Sequence, residues 1–464
     1  MNYSIKAMAE GIIDAGCSHY ANYPGFHSNE LHSALDCKVT SSDEKNAFAF
    51  AWGCSMAGKR AAVSFKNVGL NDAADAFLGA LFVGCRAGLV LILFDDCDIQ
   101  HSQSRIEIRP YFQIYGGLWL EPRNVAELYS LTKSAFLWSE RFGLPVVIRI
   151  TNILYEQGLR EVSWKRSVLP PSQFPALERF EDSSPYVVHP SEAWRMEREL
   201  KLKNEKIQDF VEELYEWEDE QLPKEVVFGA KREIMVKNPL RLFTLPLPQK
   251  LIRRLFPLDA LDNVMVYEHG ASDFVKKQME QILSPIKLSG RIMSPPAMIK
   301  SKYHNNSYIE KLFSVLRNVS DSIICGDLGG YTMDPHRTLQ LCLAYGVSPA
   351  VSMGVAEAIP QKKVFCVTGD AAYLHSGQQC LYEMLERKVN LTVFVLDNGG
   401  ALGTGGQAIP GNLQVHPDGV SFYELDYLDT MPNEMEDFVN KLPENGVNLV
   451  IVHTYEQQIA DNSH

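Results

Sequence analysis

Residues 1–155 alternate two kinds of hydrophobic pattern. AMAEGIIDAG and EKNAFAFAWGCSMAG have helical spacing, while RAAVSF, AGLVLILFDD and LPVVIRIT are continuous apolar runs of strand length. CKVTSS, ahead of the second helix, also reads as strand-like. Continuously apolar strands are buried on both faces, so the alternation predicts a parallel sheet covered by helices on each side. Residues 156–239 differ. PPSQFPALERFEDSSPYVVHPSEAW is rich in proline and serine, and RMERELKLKNEKIQDFVEELYEWEDEQL predicts a long, charged, mostly solvated helix. We read this stretch as a linker with a helical arm. Residues 240–295 predict a small α/β unit, with strands in LRLFTLP and NVMVYEHG and helices in PQKLIRRLF and ASDFVKKQMEQIL. From 296 to 464 strand and helix alternate again through DSIICGD, SPAVSMGVAEAI, KVFCVTGD, SGQQCLYEMLERK, NLTVFVLDN and NLVIVHT. The expected class is α/β, two parallel-sheet domains flanking a reduced middle unit.

The totals narrow the picture. A chain of 464 residues exceeds one ordinary core, so two or three domains are expected. No apolar run is long enough to span a bilayer. The N-terminus, MNYSIKAMAEGIIDAG, lacks the basic flank and cleavage site of a signal peptide, so we expect a cytoplasmic protein that does not engage a membrane. The net charge of −13 is spread along the chain, which argues against nucleic-acid binding. Nine cysteines are present and none forms a C-x-x-C pair. Most lie in apolar runs and read as buried free thiols in a reducing compartment, which leaves structural zinc and iron–sulfur ligation unsupported.

Candidate chemistry stands in the stretch 363–400. One strand-like run ends on Gly369-Asp370 and the next ends on Asp397-Asn398. In parallel sheets ligands bind beyond the carboxyl ends of the strands. Asp370 and Asn398 stand 28 positions apart, the length of one strand–helix–strand crossover. A carboxylate and an amide carbonyl are hard oxygen ligands suited to Mg2+, which leaves room for phosphate oxygens and water. A helix beginning near Ala371-Ala372 would aim amide groups at the same phosphates. Gly399-Gly400 permits a tight bend, so the Gly400 carbonyl could complete the metal shell. The plainer alternatives are an aspartate capping a helix and an asparagine in a turn.

Gly-Asp followed at this distance by Asn on paired strand ends resembles the thiamine diphosphate motif. GDLGGYTM (326–333), GDAAYLHSG (369–377) and LDNGGALGTGGQ (396–407) resemble the pyrophosphate domain of indolepyruvate:ferredoxin oxidoreductase alpha subunits. NYPGFHSNE (22–30), DEKNAFAFAWGCSMAGKRA (43–61), KNVGLNDAADAF (66–77) and DDCDIQHSQS (95–104) resemble its pyrimidine domain in order and spacing. LRLFTLPLPQKLIRRLF and VMVYEHGASDFVKKQMEQI look like the second half of its middle domain. The chain departs from the family at four places. MSPPAMIKSKYHN stands where the family has a cysteine-rich segment, Gly330 replaces a cysteine, and Phe26 replaces the threonine after the YPG triplet. The terminal ferredoxin-like domain has no counterpart before His464.

The resemblance implies a thiamine diphosphate and Mg2+ enzyme acting on a 2-oxo acid, built as a homodimer from pyrimidine-type (1–155) and pyrophosphate-type (296–464) domains. It places Glu44 as the acid that tautomerises the cofactor's aminopyrimidine, where a first-turn helix glutamate is the ordinary alternative. Asp370, Asn398 and Gly400 form its metal set. Gly69, Leu70, Asn71, Asp327, Gly329, Gly330, Gly369, Ala371, Ala372, Ala401 and Leu402 line its cofactor cleft. His101 is a candidate proton-relay group, and Phe26, His27 and Gln103 are candidates for the substrate pocket. Each of the polar three is equally readable as an ordinary surface or satisfied group. Because the carrier domain and its cysteines are missing, we expect non-oxidative decarboxylation or carboligation. The alternative is an oxidoreductase subunit borrowing a separate ferredoxin or gamma-type partner. A third reading, cofactor binding without turnover, is disfavoured because Glu44, Asp370 and Asn398 are all present.

Overall fold

The structure is a computed structural model describing residues 1–25, 27–98, 105–180, 184–188, 192–217, 222–231, 238–256, 264–269, 272–284, 307–401 and 407–454. In chain order the strands are β1 (His19–Asn22), β2 (Ala61–Lys66), β3 (Leu89–Asp95), β4 (Leu118–Leu120), β5 (Val146–Thr151), β6 (Glu225–Phe228), β7 (Leu240–Leu242), β8 (Thr244–Leu245), β9 (Met265–Tyr267), β10 (Ser322–Gly326), β11 (Lys363–Gly369), β12 (Leu391–Asp397), β13 (Ser421–Asp426) and β14 (Val447–His453). They form three sheets, ordered β1-β2-β3-β5-β4-β8, β7-β6-β9 and β10-β11-β12-β14-β13. All pairings are parallel except β4 with β8. The long strands β3, β11 and β12 are apolar and buried almost throughout, as sheets covered on both faces require. The α/β class expected from the alternation is the one observed.

Three local expectations change. CKVTSS forms no strand: residues 37–42 are irregular, and the strand before the Glu44–Met56 helix is the short β1. LRLFTLP splits between two sheets, β7 joining the small sheet while β8 crosses to pair antiparallel with β4. The stretch read as linker supplies β6, the central strand of the small sheet. Four residues are too short a signal to stand out in a charged neighbourhood. The helix within that stretch, Ala193–Glu213, is charged outside and buries Met196, Leu200, Ile207, Phe210 and Val211. Its Phe210 ring meets Trp138 and Phe142 of the Val125–Phe142 helix at 5.3 and 5.4 Å. Ahead of the Ala193–Glu213 helix the chain runs along the second large domain, where Phe180 N–H donates to Gln340 Oε1 (2.7 Å) and Tyr186 O accepts from Cys342 N–H (3.1 Å).

The two large sheets meet through one pair of helices. Glu44–Met56 is buried on every side after its first residue, as an all-round apolar helix must be. It packs against Ser348–Ala358, also buried nearly throughout. Contact is backbone to backbone: a Cβ on Gly53 would lie 2.3 Å from Val351 O, and one on Gly354 would lie 2.1 Å from Phe50 O. Gly354→Ala therefore forces two helices apart rather than one side chain aside. We expect a loss of about 1–3 kcal/mol or more, read as a lowered melting temperature. An unchanged melting temperature would contradict this crossing.

Candidate active site

The carboxyl ends of β10, β11 and β12 lie side by side, in register at Gly326↔Val367 and Gly369↔Leu396. Asp370 follows β11 directly and opens a helical run through Asp370–Ala372, Tyr373–Gly377 and Cys380–Arg387. Its carboxylate is buried and accepts from the amides of Ala371 (2.7 Å), Gly400 (3.0 Å) and Asn398 (3.4 Å). These bonds draw Gly369, Asp370, Ala371, Asn398 and Gly400 to one point. Gly399, at φ 80°, makes the turn that brings Gly400 N–H back to Asp370. The Ala371 amide is spent on Asp370 and does not face outward as a free donor.

Two observations fit a divalent cation here. Asn398 Oδ1 is buried, and no donor among the described residues reaches it. Burial pushes the Asp370 carboxyl above its ordinary value, although three amides oppose the shift. A cation between these oxygens would satisfy the orphan and compensate the buried charge, and hard oxygen donors suit Mg2+. Asp370 and Asn398 are thus the side chains that would hold the metal.

Asp327 behaves differently from expectation. It is fully buried and accepts from Gly346 N–H (2.7 Å), Val347 N–H (3.2 Å), Ser348 Oγ (2.6 Å) and Thr368 Oγ1 (2.7 Å). Four protein donors leave its carboxylate no capacity for a ligand. It anchors the start of the Ser348–Ala358 helix and is a positioning residue. Gly329 and Gly330 lead into the Gly330–Met333 turn, where buried Tyr331 takes the Gly369 amide on its hydroxyl (3.3 Å). Ala372 is buried, and Ala401 N–H donates to Gln407 O (2.9 Å).

Glu44 opens its helix behind the N-cap Asp43, whose side chain accepts from Asn46 N–H (2.6 Å). Its carboxyl lies against Gly69, where a Cβ would stand 2.3 Å from Oε1 and 2.6 Å from Cδ. Burial first, then the negative charges of Asp72 and Asp43, push the Glu44 carboxyl above its ordinary value. A carboxyl that keeps its proton nearer neutrality suits proton exchange with a ring nitrogen. Gly69→Ala should displace this carboxyl without touching the core. We expect a loss of at least tenfold in turnover with a near-parent melting temperature; parent turnover would refute the contact.

Leu70 is fully buried in the core face of Leu70–Val83, so its side chain is packing rather than cleft lining. Asn71 is exposed, its amide donating to Val68 O (3.0 Å) and accepting from Tyr111 OH (2.8 Å). His27 stands beyond β1 at φ 52°, donates through Nδ1 to Glu30 Oε1 (2.6 Å) and stacks on Tyr155. Phe26, His101, Gln103 and Leu402 lie outside the described residues.

Polar contacts tie the start of the Glu44–Met56 helix to residues 345–383 of the second large domain. Lys45 Nζ donates to Tyr345 O (2.8 Å), Asn46 Nδ2 to Ser376 O (3.1 Å) and Ser41 Oγ to Glu383 Oε1 (2.9 Å), while Gln379 Nε2 donates to Asp43. None of these partners was legible beforehand. Each is an ordinary polar residue in a helix or turn, meaningful only through a partner some 300 positions away.

The aspartate–asparagine pair at the carboxyl ends of β11 and β12, and the glutamate that opens the Glu44–Met56 helix, are the residues expected of a thiamine diphosphate-dependent enzyme. Residues 327–457 match the C-terminal TPP-binding domain of thiamine pyrophosphate enzymes. Within that class the chain resembles indolepyruvate oxidoreductase subunit IorA. It is 26% identical to the protein of that name from Archaeoglobus fulgidus, over 88% of this chain and 76% of the other, and equally to that from Methanothermobacter marburgensis. The fold is shared with a putative thiamin diphosphate-dependent enzyme from Mycobacterium smegmatis (TM-score 0.51, 13% identity, 98% and 99% of the two chains). It is also shared with a 4-hydroxybenzoylformate decarboxylase from Rhodococcus jostii RHA1 (TM-score 0.53, 13% identity, 97% and 99%). Among the described residues no helix is long and apolar enough to cross a membrane.

Proposed function

We propose that this chain is the cofactor-binding subunit of an oxidoreductase acting on an indolepyruvate-like 2-oxo acid, with Mg2+ at Asp370 and Asn398. The observation that carries this is 26% identity over 88% of the chain with proteins named as indolepyruvate oxidoreductase subunits. It outweighs the departures from the family that favour a non-oxidative outcome. Thiamine diphosphate, when bound, supplies the carbon nucleophile and electron sink for cleavage beside the 2-oxo group. The chain's own part is positional. Asp370, Asn398 and the Gly400 carbonyl would hold the metal, which would supply positive charge for the cofactor's diphosphate. Glu44 keeps and returns a proton at its carboxyl oxygen, and Gly69 leaves room for that carboxyl. His27, held by Glu30 at 2.6 Å, is the proposed substrate-side histidine.

Electrons leave through a separate iron–sulfur partner. All nine cysteines are free, and burial raises their thiols, Cys37 to about 11 and Cys325 to about 12. No group of three or more potential metal ligands occurs among the described residues. The same observation favours the second reading, non-oxidative decarboxylation or carboligation, which needs no carrier. The assembly proposed is a homodimer in the cytoplasm; a fully active monomer in light scattering at assay concentration would contradict the dimer.

Incubation of the purified chain with aromatic and aliphatic 2-oxo acids separates the readings. Turnover that requires coenzyme A and a ferredoxin-type acceptor supports the oxidoreductase. Catalytic carbon dioxide release with aldehyde or acyloin product, without either addition, overturns it in favour of the second reading.

A further inference from the structure

Asn398 is one residue past the end of β12, and a turn at a strand end is not held by the sheet ladder. Its support comes from the strand beside it. β14 runs parallel to β12 with His453 in register with Asp397, and β13 brings Asp426 into register with His453. His453 Nδ1 donates to Asp397 Oδ2 (2.8 Å), and Nε2 lies 3.6 Å from Glu424 Oε1. The other Asp397 oxygen accepts from Gly399 N–H (3.2 Å). The Asp397 carbonyl accepts from Thr454 N–H (2.8 Å) and Thr454 Oγ1 (2.9 Å). One aspartate thus clamps the turn from inside through Gly399 and is itself clamped from outside by His453 and Thr454. The Asp397 side chain is largely buried, whereas His453 is about one-third exposed at 34%.

We infer that His453 is a positioning residue for the metal site: by fixing Asp397 it sets the turn that presents Asn398 Oδ1 and the Gly400 backbone to the cation. The inference rests on the metal reading of Asp370 and Asn398. Groups that orient metal ligands without touching the metal cost roughly 10–100-fold in metal affinity when removed. The physical need is clear here. Gly399 and Gly400 give the turn more backbone freedom than any other residue pair, so the ligand oxygen stays in place only if something outside the turn holds it. In sequence His453 is separated from Asp397 by 56 positions and carries no motif.

The test titrates Mn2+ into the full chain with thiamine diphosphate present and reads free Mn2+ by electron paramagnetic resonance. His453→Leu keeps bulk and removes the donor. His453→Asn places an amide nitrogen where Nδ1 stands. The expected result is about tenfold weaker Mn2+ binding in His453→Leu, with His453→Asn close to the parent and both melting near the parent temperature. Parent affinity in His453→Leu overturns the inference, as does equal weakening in both variants, which would mark a packing effect. His453→Ala replaces the leucine variant should that one fail to fold. Asp370→Ala keeps the two questions apart. If it binds Mn2+ as the parent does, the metal site itself is wrong; if it loses Mn2+ while His453→Leu does not, only the role of His453 fails.

Discussion

Asp370→Ala is expected to abolish tight, metal-dependent binding of thiamine diphosphate. The substitution removes the one charged ligand and also the acceptor that gathers the amides of Ala371, Asn398 and Gly400. Loss of a group that merely orients a metal ligand costs 10–100-fold in affinity, so loss of the ligand should cost roughly 100-fold or more. The buried Gly400 amide would also be left without a partner, at about 1–3 kcal/mol, and the half-buried amides of Ala371 and Asn398 would lose their acceptor. The fold should survive, because β11 and β12 are held by their ladder and apolar faces upstream of the site. Calorimetry measures this directly, with and without Mg2+. Parent affinity, independent of metal, would remove the site from consideration.

Glu44→Gln is expected to separate binding from chemistry. An amide of the same shape still fills the space against Gly69 and still hydrogen-bonds a ring nitrogen, but it cannot take up and release a proton. Cofactor affinity should stay within a few-fold of the parent, while turnover should fall by about 10²–10⁴, the usual contribution of a positioned acid–base group. Deuterium exchange at the thiazolium carbon of bound cofactor reads the affected step before any substrate enters. Exchange at the parent rate would show that Glu44 is a helix-terminal glutamate and no more. The raised pKa bears on this outcome, since Asp72 and Asp43 add negative charge to a carboxyl that burial already disfavours ionising.

Much of the fold was open to reading from hydrophobic pattern. Strands buried on both faces announce themselves as unbroken apolar runs, so β2, β3, β5, β11 and β12 fall where RAAVSF, AGLVLILFDD, LPVVIRIT, KVFCVTGD and NLTVFVLDN place them. Short strands do not. β4 and β6 have three and four residues, below the length at which an apolar run differs from chance, so the stretch holding β6 reads as linker. β8 was misassigned for another reason. A single extended stretch was divided between two sheets, a choice made by which edges lie nearby.

The site divides along the same line. Asp370 and Asn398 were legible because a polar pair on consecutive strand ends depends only on local spacing, and parallel strands place such ends together by geometry. Asp327 looked equivalent, since it too follows a strand. Its role was decided by Gly346, Val347, Ser348 and Thr368, four donors that only the packed structure assembles around it. Glu44 could be named from its motif, but the bare Gly69 surface against it and the carboxylates that raise its pKa come from a separate helix. Local spacing along the chain determined the class of fold and pointed to the proposed metal pair, while the family resemblance supplied the candidate acid. Contacts between segments tens to hundreds of positions apart decided which polar groups are spent on the protein itself and which remain for a ligand. A hydrogen bond is made with whatever atom folding brings within about 3 Å, and sequence spacing does not encode that neighbour.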